Sequence, residues 1–225
     1  MKKPFLPLLA AAGLAVAGCN QAAIAAESVV AAPVAVKKSN ESGLKTAIFA
    51  GGCFWGVEGV FSRVKGVKSA VSGYHGGNKA TASYDRVNSG VTGHAEAVRV
   101  TYDPSQIRYD QLLRIFFSVV ADPTLTNRQG PDRGSQYRAA LVPMNDDQRA
   151  VAAAYLKQMD KSGKWNAPIV TKLESNRKFY PAESYHQDFM EKNPRHSYIT
   201  RWDAPKVRAL AKMYPSVHSA TFVKD

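Results

Sequence analysis

The pattern of apolar and polar residues from about residue 44 onward predicts a single α+β domain. Short apolar or alternating runs indicate strands, and apolar residues that recur every three or four positions indicate helices. In chain order, the pattern predicts a strand at 46–50, a helix at 53–64, strands at 66–74 and 95–102, a helix at 109–120 and a strand at 136–142. This β-α-β-β-α-β order is typical of a ferredoxin-like core, a two-layer α/β sandwich.

Less regular segments surround this predicted core. The sequence predicts a helix at 146–161, a strand at 169–173 and a helix at 182–191. The C-terminal tail, residues 193–225, has little pattern apart from a short helical run at 207–213. Two long loops, at 75–93 and 122–135, are rich in glycine and polar residues, and loops of this kind often carry function. With no internal repeat and no second domain, we expect residues 44–225 to form one domain with extended loops and a C-terminal tail.

The N-terminal segment, residues 1–18, predicts an export signal. Lys2 and Lys3 precede about 14 apolar residues, fewer than the roughly 20 that cross a membrane. The signal ends in LAVAGC, which resembles the lipobox of bacterial lipoproteins and implies that Cys19 is acylated. By the same resemblance, Asn20 implies an outer-membrane location, facing the periplasm. Residues 19–43 are rich in alanine and valine without a steady period, and we expect them to form a flexible tether.

The net charge of the chain is +12, and it falls to +10 when residues 1–18 and their two lysines are removed. A basic balance of this size can indicate nucleic-acid binding. However, the lysines and arginines are scattered, and the sequence contains no nucleic-acid-binding module. We therefore expect a solvated basic surface, no nucleic-acid partner and a monomer.

Cys53 is the single thiol once Cys19 is acylated, so the exported protein cannot form a disulfide framework. It follows Gly51 and Gly52 and begins the first predicted helix. Unpaired backbone N–H groups and the helix dipole favour a thiolate there, by at most about 1.5 pKa units. We expect up to about half of Cys53 to be ionised at pH 7. The alternative is a buried, inert cysteine.

Two other kinds of site receive weaker support. His94 and Glu96 match half of a zinc-deaminase signature, but the CxxC half is missing, so we predict no metal. A cysteine–histidine pair of the thiol-protease kind stays open, because the chain has five histidines.

Four motifs together resemble the A-type peptide methionine sulfoxide reductases. They are GCFWG at 52–56, GHAEAV at 93–98, GPDRGSQYR at 130–138 and YHQ at 185–187. They occur in order within residues 47–194, and four separate motifs make the resemblance specific. It implies reduction of methionine S-sulfoxide, free or in oxidised proteins, without a bound cofactor.

The resemblance also implies the role of each site residue. Cys53 would attack the sulfoxide sulfur, and Glu96 would protonate the oxygen, which requires a carboxyl that keeps its proton near pH 7. The remaining roles are hydrogen bonds to the sulfoxide oxygen from Tyr84 and Tyr137, an apolar cage from Phe54 and Trp55, and a polar substrate contact from Asp132. His186 is a candidate for a further substrate contact, and the alternative is a structural histidine.

The sequence departs from the family in its tail, where many members carry a resolving cysteine. No cysteine follows Cys53, and an acylated Cys19 cannot form a disulfide. We therefore expect a sulfenic acid on Cys53 that an external thiol, such as a thioredoxin-like protein, reduces. Two alternatives stay open: a lipoprotein module that binds oxidised methionine without turnover, and a thiol peroxidase.

Overall fold

The computed structural model describes residues 29–224, and the regular elements lie between residues 45 and 213. The strands are β1 (Lys45–Ala50), β2 (Val67–His75), β3 (Ala95–Tyr102), β4 (Arg128–Gln129), β5 (Asp132–Arg133), β6 (Ala140–Val142), β7 (Lys172–Leu173) and β8 (Tyr180–Pro181). The helices are α1 (Phe54–Phe61), α2 (Tyr84–Val87), α3 (Tyr109–Ile115), α4 (Asp146–Asp160), α5 (Phe189–Lys192) and α6 (Ala204–Met213). A π-helical turn, Phe116–Val120, extends α3, and a second one, Ile199–Asp203, leads into α6.

The main sheet has six strands in the order β7-β6-β1-β3-β2-β8. Its four central strands, β6-β1-β3-β2, pair antiparallel, and α1 and α3 provide the two helical connections. This arrangement confirms the predicted α+β fold with a β-α-β-β-α-β core. Two-residue strands form the edges: β8 is antiparallel to β2, whereas β7 is parallel to β6 and makes the sheet mixed.

Strand alternation decides which side chains reach the helices. Along β3, Val98 and Val100 belong to the larger core under the helices, whereas Ala95 and Ala97 belong to a smaller cluster on the opposite face. Glu96 is two residues from Val98 and therefore shares its face, because side chains in a strand alternate with a period of two. The strand pattern thus turns one carboxyl toward α1.

The helical face holds most of the apolar core. Phe49 of β1 packs against the rings of Phe61 and Phe116, with ring centroids 4.6 and 5.4 Å away. These rings fix α1 and the extended α3 on the sheet. The position of α1 matters for function, because its first turn begins at Cys53.

Several predicted elements differ in the structure. The strand predicted at 169–173 is reduced to β7, and the loop predicted at 122–135 contains the paired strands β4 and β5. The loop at 75–93 contains the short helix α2, and the strand predicted at 136–142 begins only at Ala140, because a 3₁₀ turn occupies Ser135–Tyr137. The helix predicted at 182–191 is reduced to α5. Asp188 takes a left-handed conformation, with φ 54°, directly before α5. The Gln187 side chain bonds the backbone N–H and C=O of Ser72 at 2.9 Å each, which holds the preceding residues against β2.

The prediction of a flexible tether at 19–43 is wrong for residues 29–43. These residues pack on the domain, and we call them the strap. Ala32 and Ala35 are buried, because small side chains at these positions let the backbone approach the helices. Polar side chains of α3 and its extension bond the strap backbone: the Ser118 hydroxyl accepts from Ala32 N–H at 3.0 Å, and Asp110 accepts from Ser39 N–H at 3.1 Å.

The strap continues this contact to its C-terminal end. The Glu41 carboxylate accepts a 2.5 Å hydrogen bond from Tyr102 and a 3.0 Å bond from the Gln148 amide. The export signal, Cys19 and residues 19–28 of the predicted tether lie outside the described residues. Between residues 29 and 224, no helix is long and apolar enough to cross a membrane.

The packing of the strap predicts unequal effects for one substitution at neighbouring positions. Ala35 is 5% exposed and Val36 is 83% exposed. Ala35→Asp buries a carboxylate and should lower the free energy of unfolding by about 1–3 kcal/mol. Val36→Asp should change it by less than about 0.5 kcal/mol. Urea denaturation followed by tryptophan fluorescence measures both, and equal effects would show that the strap is not part of the folded domain.

Candidate active site

The turn between β1 and α1 accepts no side chain at its two glycines. A Cβ atom on Gly51 would lie 2.7 Å from the Phe116 ring, and one on Gly52 would lie 2.6 Å from Gln129 Cβ. Gly52 also has φ +85°, a conformation that favours glycine. The tight turn places Cys53 at the N-cap of α1, where its side chain is half-buried. The two glycines therefore fix the position of the thiol.

The expected ionisation of Cys53 is wrong for the resting site. Burial raises the pKa of the thiol well above its ordinary value, and the carboxylates of Glu96, Asp203 and Asp132 raise it further. The backbone N–H of Trp55 bonds the sulfur and lowers the pKa, as the sequence predicts for a helix N-terminus, but its effect is smaller. Cys53 is therefore a thiol at neutral pH.

Glu96 is 2% exposed and lies under the first turn of α1. Its Oε2 accepts a 3.0 Å hydrogen bond from the backbone N–H of Phe54. Burial raises the pKa of Glu96 to about 8, against the lowering effect of that N–H, and Asp132 and Asp203 also raise it. Glu96 therefore holds its proton at pH 7, as expected from the sequence. Glu96 becomes a carboxylate only above about pH 8, and in that charged form it opposes the ionisation of Cys53.

Tyr84 and Tyr137 approach the site from two different loops. Tyr84 is the first residue of α2, and its backbone N–H donates to Glu183 at 3.0 Å. Tyr137 ends the 3₁₀ turn that follows Gly134. Burial raises the pKa of both phenols, and the nearby Glu96 carboxyl raises them further. Both hydroxyls therefore keep their protons and can donate hydrogen bonds.

Trp55 and Phe54 form the aromatic wall of the site together with His186. The Trp55 indole stacks on Phe189, with ring centroids 3.7 Å apart, and its Nε1 donates to His186 Nδ1 at 3.1 Å. The Phe54 ring is buried, 4.9 Å from the His186 ring. Burial lowers the pKa of His186, so the ring is neutral, and its bond from Trp55 puts the proton on Nε2. His186 thus holds the indole in place.

Comparisons with known proteins agree with this arrangement. The family model described as peptide methionine sulfoxide reductase matches residues 45–217. The chain is 54% identical to peptide methionine sulfoxide reductase MsrA 2 of Mesorhizobium japonicum, over 79% of this chain and 91% of that protein. It is 49% identical to MsrA 2 of Synechocystis, over 76% of this chain and 80% of that protein. The chain belongs to the peptide methionine sulfoxide reductase family.

Solved structures give the same result for the fold. Reduced Mxr1 of Saccharomyces cerevisiae aligns with a TM-score of 0.59 and 35% identity, over 71% of this chain and 91% of that one. Methionine sulfoxide reductase A of Corynebacterium diphtheriae aligns with a TM-score of 0.58 and 30% identity, over 70% and 78%. The protein is an oxidoreductase that reduces methionine sulfoxide, as its motifs predict.

The reductase site contains two residues that the sequence reasoning missed, and both come from the C-terminal tail. The Tyr198 hydroxyl donates to the Asp132 carboxylate, and the Tyr198 ring meets Trp55 edge-on with centroids 6.0 Å apart. Asp203 is fully buried against α1, where a Cβ on Gly56 would lie 2.2 Å from its Oδ1. Gly56 is thus the one sequence signal for Asp203, because only a glycine leaves room for that carboxylate.

His94, the first polar residue of the GHAEAV motif, is not part of this cluster. Its Nδ1 accepts from the backbone N–H of Gly77 at 3.2 Å, and its Nε2 lies 3.0 Å from the Asn78 carbonyl oxygen. It therefore holds the loop after β2. Across residues 29–224, no group of three or more His, Cys, Asp and Glu side chains is arranged to hold a metal ion.

The raised pKa of Glu96 predicts how the stability of the reductase depends on pH. Unfolded Glu96 loses its proton near pH 4.3, whereas folded Glu96 keeps it to about pH 8. Between these values the folded state binds the extra proton, so stability falls as pH rises, by up to about 1.4 kcal/mol per pH unit. Glu96→Gln removes this slope.

Urea denaturation of the wild type and of Glu96→Gln at pH 5, 6, 7 and 8 measures the difference. The variant should gain stability relative to the wild type at each step toward pH 8. Parallel pH curves for the two proteins would mean that folded Glu96 titrates at its ordinary pKa.

Proposed function

We propose that Cys53 attacks the sulfur of methionine S-sulfoxide while Glu96 protonates the sulfoxide oxygen. The observation that carries this proposal is the hydrogen bond from Phe54 N–H to the Glu96 carboxyl at 3.0 Å. Phe54 directly follows the nucleophile, so this bond places a buried, protonated acid beside the thiol. A sulfoxide oxygen leaves poorly unless it is protonated, and a positioned acid meets that need.

The proton balance follows from the two pKa values. Glu96 gives its proton to the sulfoxide oxygen, and the resulting positive charge on the substrate sulfur favours ionisation of the nearby thiol. The Glu96 carboxylate can then take the proton that Cys53 loses. A sulfur–sulfur bond forms as Cys53 attacks. The hydroxyl then moves from the substrate sulfur to the Cys53 sulfur, so the substrate S–O bond breaks and a Cys53 S–O bond forms. The sulfur–sulfur bond breaks in the same step, its electron pair stays on the substrate sulfur, and methionine departs, leaving Cys53 as a sulfenic acid. The substrate sulfur is reduced by two electrons, and the Cys53 sulfur is oxidised by two.

The remaining residues orient the substrate. Tyr84 and Tyr137 keep their hydroxyl protons and donate to the sulfoxide oxygen, while the Trp55 and Phe54 wall contacts the terminal methyl group. A buried methyl group is worth only about 0.8 kcal/mol, so this wall orients the sulfoxide more than it adds affinity. Asp132 contacts the polar part of the substrate methionine. His186 acts through Trp55 rather than by contact with substrate, which is the structural one of the two roles that the sequence left open.

An external thiol completes the cycle in this proposal. The half-buried Cys53 keeps part of its surface accessible, and no cysteine follows it in the sequence. A dithiol such as a thioredoxin-like protein attacks the sulfenic acid, water leaves, and a mixed disulfide forms. The second thiol of the reductant then releases Cys53. One chain supplies every residue that this mechanism uses, so we propose that the enzyme acts as a monomer.

A single-turnover experiment tests the roles of Cys53 and Glu96. Reduced protein receives one equivalent of methionine S-sulfoxide and the sulfenic-acid trap dimedone, without any reductant. The wild type should release one methionine per chain and carry one adduct on Cys53. Glu96→Gln should react at least about 100-fold more slowly, because an amide cannot give up a proton. Glu191→Gln is the matched control, since Glu191 pairs with Arg63 away from the site, and it should react at the wild-type rate.

Other results of this experiment separate the alternatives. Binding of the sulfoxide without release of methionine would favour a binding module. Peroxide consumption that is equal in the wild type and in Glu96→Gln would favour a peroxidase. A wild-type rate in Glu96→Gln would exclude Glu96 as the acid. Turnover beyond one equivalent should occur only when a dithiol is added.

We also propose that Cys19 is acylated and anchors the enzyme to the outer membrane, facing the periplasm. The support for this is the LAVAGC segment after a short apolar run, and two or three acyl chains anchor a protein firmly. Mass spectrometry of the membrane-extracted protein should find a lipidated Cys19 as its N-terminus. Cys19→Ala should move the protein out of the membrane fraction with its activity unchanged. An unmodified Cys19 in the exported protein would contradict the anchor.

A further inference from the structure

Arg138 stands next to Tyr137 in the GPDRGSQYR motif, yet the proposed mechanism gives it no task. Its guanidinium is 15% exposed and bonds three different partners. Nη1 donates to the Ser135 carbonyl oxygen at 2.9 Å, and Nη2 donates to the Gly93 carbonyl oxygen at 3.1 Å. Nε and Nη2 also donate to the two carboxylate oxygens of Glu174, at 2.6 and 3.2 Å.

The two carbonyl groups belong to the two segments that carry the acid and one of the tyrosines. Gly93 lies three residues before Glu96, in the turn that leads into β3. Ser135 begins the 3₁₀ turn that ends at Tyr137. These segments are about 40 residues apart in the chain, and one planar guanidinium joins them.

Glu174 and His75 hold the guanidinium from behind. The backbone N–H of Arg177 donates to His75 Nε2 at 3.2 Å, which leaves the proton on Nδ1, and Nδ1 lies 3.5 Å from Glu174 Oε2. Burial would raise the pKa of Glu174, but the bonds from His75 and Arg138 outweigh it and lower that pKa to about 2. Glu174 is therefore a carboxylate at neutral pH.

The backbone at Gly76 leaves room for the Arg138 guanidinium. A Cβ on Gly76 would lie 2.8 Å from Arg138 Nη2 and 2.8 Å from the Gly93 carbonyl oxygen, and Gly76 has φ +107°. The guanidinium therefore lies directly against a glycine that has no room for a side chain. Lysine cannot replace this contact, because an ammonium group lacks the planar fork that reaches several partners at once.

We propose that Arg138 is a positioning residue that fixes Glu96 and Tyr137 relative to each other, so that both donate to one sulfoxide oxygen. This inference rests on the proposed roles of Glu96 and Tyr137. Two donors stabilise the developing charge only if both point at the same atom, and a shift of about 1 Å can cost on the order of 100-fold in rate. Arg138 does not touch the substrate, so its loss should lower kcat while KM stays nearly constant.

Arg138→Lys and Glu174→Gln test the proposal from both ends of the ion pair. Each should lower kcat for methionine sulfoxide about 10- to 100-fold and change KM by less than about threefold. Arg99→Lys is the matched control, because Arg99 lies on β3 with its guanidinium over the Phe179 ring, and it should keep wild-type kinetics. Urea denaturation checks that each variant is folded.

A double-mutant cycle distinguishes a positioning role of Arg138 from a merely structural one, because it measures whether the effects of Arg138→Lys and Tyr137→Phe on kcat depend on each other. If Arg138 acts by aiming Tyr137, Arg138→Lys should lower kcat by less than about threefold when Tyr137 is already phenylalanine. Effects of Arg138→Lys and Tyr137→Phe that multiply independently would overturn the proposal, as would a change confined to KM. If Glu96→Gln and Tyr137→Phe themselves leave kcat unchanged, the proposed mechanism fails instead.

Discussion

The hydrogen bond from Phe54 N–H to the Glu96 carboxyl connects the first turn of α1 to strand β3, and the chemistry of the site depends on it. The first N–H groups of a helix have no partner within the helix, so one of them is available to a side chain from the sheet. Strand alternation turns Glu96 to that face, and the aromatic core fixes α1 above it. Since Phe54 follows Cys53, any acid held by this bond lies next to the proposed nucleophile.

Burial outweighs the helix terminus for both reacting groups. A helix N-terminus stabilises a negative charge by about 0.3–1 kcal/mol, and up to about 2 kcal/mol in favourable geometry. The pKa of Glu96 and that of Cys53 are both raised, so the cost of removing water from the charged form of each group is larger than the stabilisation from the helix N-terminus. The resting site therefore holds a neutral acid and a neutral thiol. A thiol is a weak nucleophile, so the substrate itself must provide the positive charge that ionises it. This requirement favours a sulfoxide over a peroxide as the oxidant.

The periodic parts of the chain could be predicted from the sequence, and the aperiodic parts could not. Strands β1 to β3 and helix α3 have clear alternation or helical spacing, so their places followed from the pattern. The strap and the tail lack a period because each follows a surface made by distant residues. Ala35, for example, is buried only because α3 and α4 lie beneath it. The ionisation of Cys53 was misjudged for the same reason. Burial raises the pKa of the thiol most, followed by Glu96, Asp203 and Asp132, and this environment is built from parts of the chain that the sequence does not place together.

The C-terminal tail explains how the site can lack a resolving cysteine and still be complete. Tyr198 bonds Asp132 and meets Trp55, and Asp203 packs against Gly56, so the tail forms part of the wall around Cys53. A tail that makes these contacts could bring a thiol to Cys53 only if the contacts were broken first. Regeneration of Cys53 must therefore use its remaining exposed surface, which an outside dithiol can approach. In the proposed cycle, the tail supports the pocket for the first half-reaction, and the second half-reaction depends on an external dithiol.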